Sequence, residues 1–163
     1  MGPTGAEPEG TPTSRQLVLL VDDEPDIRES LKMLLEASLD DVDVETAEGG
    51  QTALDVLARS RVDLIITDYK MPGMNGLEFL QRAAKEAPKV PRILVTAFPD
   101  LDIAIKAINA AGIENFFTKP FEPEQVVSVV RDILREQRAQ ALRNRSFARS
   151  LETIRKNIKG PSS

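Results

Sequence analysis

Four apolar runs in this sequence end in residues that carry charge or donate a hydrogen bond. QLVLLV leads into Asp22 and Asp23, LIIT into Asp68, ILV into Thr96, and FFT into Lys119. Three carboxylates, a hydroxyl and an ammonium can handle a phosphoryl group if they meet at one place. Clustered carboxylates raise one another's pKa unless a cation sits among them. A hard divalent ion held by oxygen ligands resolves that repulsion, and Mg2+ suits a small carboxylate set that leaves room for waters and a phosphate. A carboxylate beside such an ion can attack phosphorus in line, while the metal, Lys119 and Thr96 stabilise charge on the transferred group. Asp68 is the candidate nucleophile.

Whether these residues meet depends on the elements that carry them. Apolar runs alternate with stretches of helical spacing: QLVLLVDDEPD with IRESLKMLLEAS, VDVET with GGQTALDVLARS, VDLIITD with GLEFLQRAAKEA, PRILVTA with DLDIAIKAINAAG, and ENFFTKPF with a long helical stretch opening at Glu122 or Pro123. Near-continuous apolar strands point to a parallel sheet covered on both faces, because half-exposed strands would alternate. Right-handed crossovers then favour an α/β, flavodoxin-like five-stranded sheet, with ligands at the carboxyl ends of the strands. In that arrangement Asp22, Asp23, Asp68, Thr96 and Lys119 share one edge. Singly, each has a plainer explanation: a helix cap or turn for the acids, a strand-end hydroxyl for Thr96, a solvated charge for Lys119. Their combination at four strand ends argues for a site. The MPGMNG segment after Asp68 reads as a turn, with Pro72 and Gly76 suited to starting the next helix.

Composition narrows the chemistry further. The chain has 163 residues, 41% of them hydrophobic, and neither cysteine nor histidine. Disulfides, thiolate nucleophiles, Cys-ligated zinc and His-based triads are excluded. Any phosphohistidine donor must be another protein. No apolar run approaches the roughly 18 residues that span a bilayer. Residues 1–16, rich in Pro, Gly, Thr and Glu, read as a disordered leader without the apolar centre of a secretory signal, which makes the cytoplasm the default location. Charge is divided unevenly: 1–137 hold 14 Lys+Arg against 25 Asp+Glu, giving −11, whereas 138–163 hold 7 against 1, giving +6.

The segments LLVDDEPD, LIITDYKMPGMNGLEFL, ILVTAF and FFTKPF resemble, in order and spacing, those of the receiver domain of two-component response regulators. The resemblance covers about residues 17–137. It implies that Asp68 accepts phosphate from a sensor histidine kinase. It also implies that Asp23, Asp68 and the backbone carbonyl of Lys70 bind Mg2+ directly, while Asp22 holds a metal-bound water. Thr96 and Lys119 would contact the phosphoryl oxygens, Lys119–Pro120 would be a cis peptide bond, and Phe116 falls at the family's switch aromatic, with core packing as its plainer role. Lys70 and Phe98, two residues after Asp68 and Thr96, occupy positions that vary among receivers and tune access of attacking water.

The last helix is longer than a receiver needs, since Glu124 to Lys159 contains neither Pro nor Gly. Val126, Val130, Ile133, Gln137, Gln140, Asn144, Phe147, Leu151, Ile154 and Ile158 follow alternating steps of four and three, a heptad stripe with apolar ends and a polar middle. Residues 138–159 are therefore expected to form a basic helical extension, either pairing with a second copy or packing on the chain's own receiver, with 160–163 as a tail. Its arginines could meet nucleic acid or anionic lipid, but one aromatic and no helix-turn-helix disfavour nucleic acid; an acidic protein surface, or simple solubility, fits better. No recognisable output domain follows, which points to a phosphorylation-controlled switch acting through a downstream protein partner, or to a helix that leads to an effector. Two alternatives stand beside the switch. One is a receiver-like scaffold that is never phosphorylated. The other is an aspartyl-phosphate phosphohydrolase, which needs an acid where this chain has Lys70. Self-phosphorylation alone would not make the chain a turnover enzyme.

Overall fold

The computed structural model describes residues 15–97 and 100–160. The expected leader therefore lies outside the described residues up to position 14, as do Phe98 and the tail beyond Gly160. Among the described residues five strands and five helices alternate: β1 (Gln16–Val21), α1 (Pro25–Ser38), β2 (Val42–Ala47), α2 (Gly50–Arg59), β3 (Leu64–Asp68), α3 (Gly76–Glu86), β4 (Arg92–Thr96), α4 (Leu101–Ala111), β5 (Asn115–Thr118) and α5 (Pro123–Lys159). The strands form one sheet in the order β2-β1-β3-β4-β5, every pair parallel. This is the flavodoxin-like arrangement expected from the alternation.

Period-two geometry sorts the buried strand residues onto two faces. Val18, Leu20, Leu64, Ile66, Ile93 and Val95 pack with Leu31 and Leu35 of α1 and Val126, Val127 and Val130 of α5. Leu19, Val21, Ile65 and Leu94 pack with Ala53 and Val56 of α2, Phe79 and Leu80 of α3, and Ala107 and Ala111 of α4. The central strands thus lie between two apolar layers, and β3 and β4 are buried along their whole length. Burial of about 25 cal/mol per Å2 on both faces fixes the strand register. Register in turn fixes where the polar ends arrive.

Gln16, counted both as the last leader residue and as the head of the QLVLLV run, is the first residue of β1 and is buried. Its amide Nε2 donates to the Leu134 carbonyl at 3.0 Å. α5 runs unbroken for 37 residues. Its first turns are buried against β1, whereas every residue from Ala141 to Gly160 is exposed. The extension does not fold back on its own domain.

The turn between β3 and α3 is where backbone conformation matters most. Gly73 adopts φ +77°, in open space. A Cβ on Gly76 would lie 2.1 Å from the Asp68 carbonyl oxygen, so the start of α3 is pressed directly against the backbone of the candidate nucleophile. Asn75 caps that helix by accepting from the Glu78 amide at 2.9 Å, while its own amide donates to the Glu78 carboxylate at 3.0 Å, a reciprocal cap. These features yield a contrast. Gly73→Ala should cost about 1 kcal/mol for its left-handed backbone alone. Gly76→Ala should cost several times that, about 2–4 kcal/mol, because backbone must move. Thermal unfolding of the two variants compares them; equal losses would contradict the close packing of α3 on Asp68.

Candidate functional site

The four strand ends do converge. Asp68 closes β3 and Thr96 closes β4, while Asp22 and Lys119 directly follow β1 and β5. Register brings Asp68 beside Val95 and Thr96 beside Thr118. Backbone bonds extend the pairing past the strands: the Asp22 amide donates to the Ala47 carbonyl at 3.1 Å, Tyr69 to Val95 at 2.8 Å, and Lys119 to Thr96 at 2.7 Å. Asp22, Asp68 and Thr96 are all buried. The Lys119–Pro120 bond is cis, as the resemblance implied.

Lys119 is the electrostatic centre of this edge. Its Nζ lies 3.2 Å from Asp22 Oδ2 and 3.2 Å from Asp68 Oδ2. Both carboxylates have side chains less than 10% exposed, so water screens them poorly. Burial pushes the Asp68 carboxyl above the usual carboxylate range; Lys119 pulls it back, but not fully, and Asp22 adds to the rise. For Lys119, burial opposes the charge, yet Asp22 and Asp68 outweigh it and raise the ammonium's pKa. One lysine therefore serves two buried acids, and the edge is short of positive charge.

The acids whose oxygens come within 4.8 Å of one another, among the described residues, are Asp22, Glu24 and Asp68. Asp23 lines the adjoining cleft, of about 410 Å3, together with Glu24, Asp68, Lys70, Met71, Pro72, Ala97 and Lys119. Glu24 was not anticipated. It is the residue before α1, its amide donating to Asp22 Oδ1 at 2.9 Å, and the third acid of the DDE run is the only sequence signal for it. Arg28 also braces the loop by donating to the Asp22 carbonyl at 2.7 Å. The donors are all oxygen, beside a carboxylate whose charge is incompletely neutralised. That set fits a hard divalent cation such as Mg2+.

Phe116 is half-buried against the layer that contains Leu94, Ala107 and Ala111. It pairs in register with Leu94, two residues before Thr96, so Phe116 and Thr96 project from the same face of adjacent strands. Pro120 is exposed beside this edge.

A doubly wound parallel sheet that gathers buried acids and one lysine at its carboxyl edge defines an α/β module that handles charge at its topological switch point. Residues 18–131 match the response regulator receiver domain model, and the chain belongs to that family of signalling modules. Over 128 residues it is 38% identical to the response regulator protein PilR of Pseudomonas aeruginosa, covering 78% of this chain and 28% of that protein. It is 36% identical over 118 residues to the probable transcriptional regulatory protein TcrX of Mycobacterium tuberculosis, covering 72% of this chain and 49% of that one. The chain thus spans half or less of these relatives' lengths. A CheY-like response regulator receiver domain protein from Methanospirillum hungatei superposes with a TM-score of 0.73 at 30% identity, over 78% of this chain and 99% of that one.

The raised pKa of Asp68 has a consequence for stability. A group whose pKa is higher in the fold favours its protonated form there, so its contribution is full below the ordinary carboxylate pKa of about 4 and is lost as pH rises through the raised value. Asp68→Asn keeps a neutral side chain at every pH. In metal-free buffer at pH 7 it should raise Tm by a few degrees, and the gain should shrink towards pH 4. A lower Tm for Asp68→Asn at pH 7 would show that Lys119 over-compensates for burial.

Proposed function

We propose that the chain is a phosphorylation-controlled response regulator in which Asp68 accepts a phosphoryl group from a sensor histidine kinase. The observation that carries this reading is the bridge of Lys119 between Asp22 and Asp68, 3.2 Å from each, beside an open cleft. An Asp68 oxygen attacks phosphorus in line. Its O–P bond forms as the P–N bond to the kinase imidazole breaks, and the imidazole takes up a proton. Lys119 passes from the Asp68 carboxylate to a phosphoryl oxygen, and the Thr96 hydroxyl donates to another. Asp22, Asp23, Asp68 and the Lys70 carbonyl would hold Mg2+, which supplies charge neutralisation for the attacking and transferred oxygens when bound.

The signal then leaves through side chains. Movement of Thr96 towards the phosphoryl group opens space on its face of the sheet, and Phe116, two positions along that face, turns into it. The surface of α4, β5 and α5 changes shape, biasing association with a downstream protein partner. Escherichia coli NtrC, named a DNA-binding transcriptional regulator, is 35% identical over 131 residues, which make up 27% of its length. The match spans about a quarter of that relative's length, so its DNA binding gives no reason to assign DNA to the basic helix here; we assign that helix to protein contacts. No helix among the described residues is long and apolar enough to cross a membrane, which accords with a cytoplasmic site of action.

A phosphohydrolase reading is disfavoured by Lys70, which stands where that chemistry needs a carboxylic acid to protonate the leaving group. A silent scaffold differs from the switch in one assay. With Mg2+ and a small acyl phosphate donor, the chain should take up about one acid-stable, base-labile phosphate, and either EDTA or Asp68→Asn should abolish uptake. Uptake undiminished in Asp68→Asn would falsify the assignment of the acceptor, and no uptake in the unaltered chain would favour the scaffold.

A further inference from the structure

We infer that a second copy of this chain covers the exposed face of α5 over Asn144–Ile158, the two helices parallel and in register. This surface does not rest on the phosphoacceptor reading. The α5 helix leaves the domain at the foot of β1, where Gln16 bonds to the Leu134 carbonyl, on the sheet edge opposite the acids. Phe147, Leu151, Ile154 and Ile158 stand 66%, 50%, 53% and 79% exposed there. Their spacing of four, three and four places them on one stripe of the helix, the pattern by which two helices interlock. The stripe continues the face that packs on the receiver core. Gln137, two members of the stripe nearer the domain than Asn144, is already used within the chain, donating to the Asp63 carbonyl at 2.6 Å. The free seam therefore begins beyond it.

Charge placement picks out the same stripe. Of the seven basic residues from Arg138 onward, only Arg143 and Arg155 flank the seam. Arg138, Arg145, Arg149, Lys156 and Lys159 lie on the far side. A parallel partner sets Arg143 opposite Ala148 and Arg155 opposite Ser150, so no like charges meet across the flanks. A helix built only for an acidic surface would have no reason to clear one apolar stripe of charge.

Orientation and stoichiometry follow from Asn144. Within one helix Gln140 Nε2 donates to Asn144 Oδ1 at 3.0 Å, and Gln140 Oε1 accepts from Arg143 at 2.7 Å; in a parallel, in-register pair Asn144 faces its own counterpart, and its Nδ2 donates across the seam to the other copy's Oδ1, which can accept a second bond. In an antiparallel pair centred on the apolar stripe Asn144 would face Ile154, and its Nδ2 would be covered without an acceptor across the seam, which costs stability. The Leu151 and Ile154 layers tolerate larger bundles, but an asparagine at such a position selects two strands and one register. Two heptads make a modest interface, so the pair forms as a concentration-dependent equilibrium. The +6 segments repel, and added salt strengthens the pairing instead of weakening it.

The chain contains no cysteine, which makes cross-linking unambiguous. In the full chain, Asn144→Cys and Ile158→Cys, each oxidised alone at a concentration where sedimentation shows association, should form disulfide dimers. Parallel register brings each position within the 4.4–6.8 Å Cα spacing that a disulfide accepts. Arg149→Cys, on the far side, should cross-link at least tenfold more slowly. Leu151→Glu with Ile154→Glu should sediment as a monomer, with the receiver's Tm unchanged because both residues are exposed. Equal cross-linking at positions 144 and 149, a trimer or tetramer mass, association that survives the double substitution, or a monomer at all concentrations up to the millimolar range would overturn the inference.

Discussion

The structure turns on one lysine held between two buried acids. Lys119 reaches Asp22 and Asp68 at 3.2 Å each, and the three charges share an edge from which water is largely excluded. An isolated carboxylate at that depth would protonate; two would do so more readily. A single ammonium keeps the pair tolerable without neutralising it, and Asp68 stays above the ordinary carboxylate range because burial outweighs the attraction to Lys119. The acids therefore carry more negative charge than Lys119 alone neutralises. Such a deficit has a cost in stability, and the two apolar layers of the sheet bear it.

The fold delivers these groups by strand register, not by loop flexibility. Asp68 and Thr96 are strand residues, Lys119 is tied by its amide to the Thr96 carbonyl, and Asp22 is tied to Ala47. Gly76 lets α3 begin directly against the Asp68 backbone, which fixes that residue from below. Rigid positioning of this kind suits a reaction whose catalysis is chiefly placement and charge. Thr96 and Phe116 share one face of neighbouring strands, two positions apart.

Much of this was legible in the residues themselves. Apolar runs such as LIIT and ILVT marked strands buried on both faces, and polar residues at their ends marked the working edge. Asp22, Asp68, Thr96 and Lys119 were found there because strand register follows from a period of two. What stayed hidden depends on three-dimensional neighbours. Glu24 joins the acids through the loop path before α1, Asn75 caps α3 by a local geometry that its type alone does not dictate, and Gln16 enters β1 because Leu134 offers it a carbonyl. Gln137 read as part of a pairing stripe, yet the Asp63 carbonyl claims it. The extension could equally have packed on its own receiver by pattern alone; its exposure from Ala141 onward is a property of the helix's exit direction.

The central claim is that this charge-deficient edge exists to carry a phosphoryl group on Asp68. Trapping the acyl phosphate by borohydride reduction tests it most directly, because hydride converts a phosphorylated aspartate into homoserine and leaves other side chains unmarked. After treatment with a phosphodonor and Mg2+, peptide mass spectrometry should find homoserine at position 68, in the peptide containing LIITDYK. Conversion at another acid of the cluster, such as Asp22 or Glu24, or none under conditions where phosphate is taken up, would contradict the account.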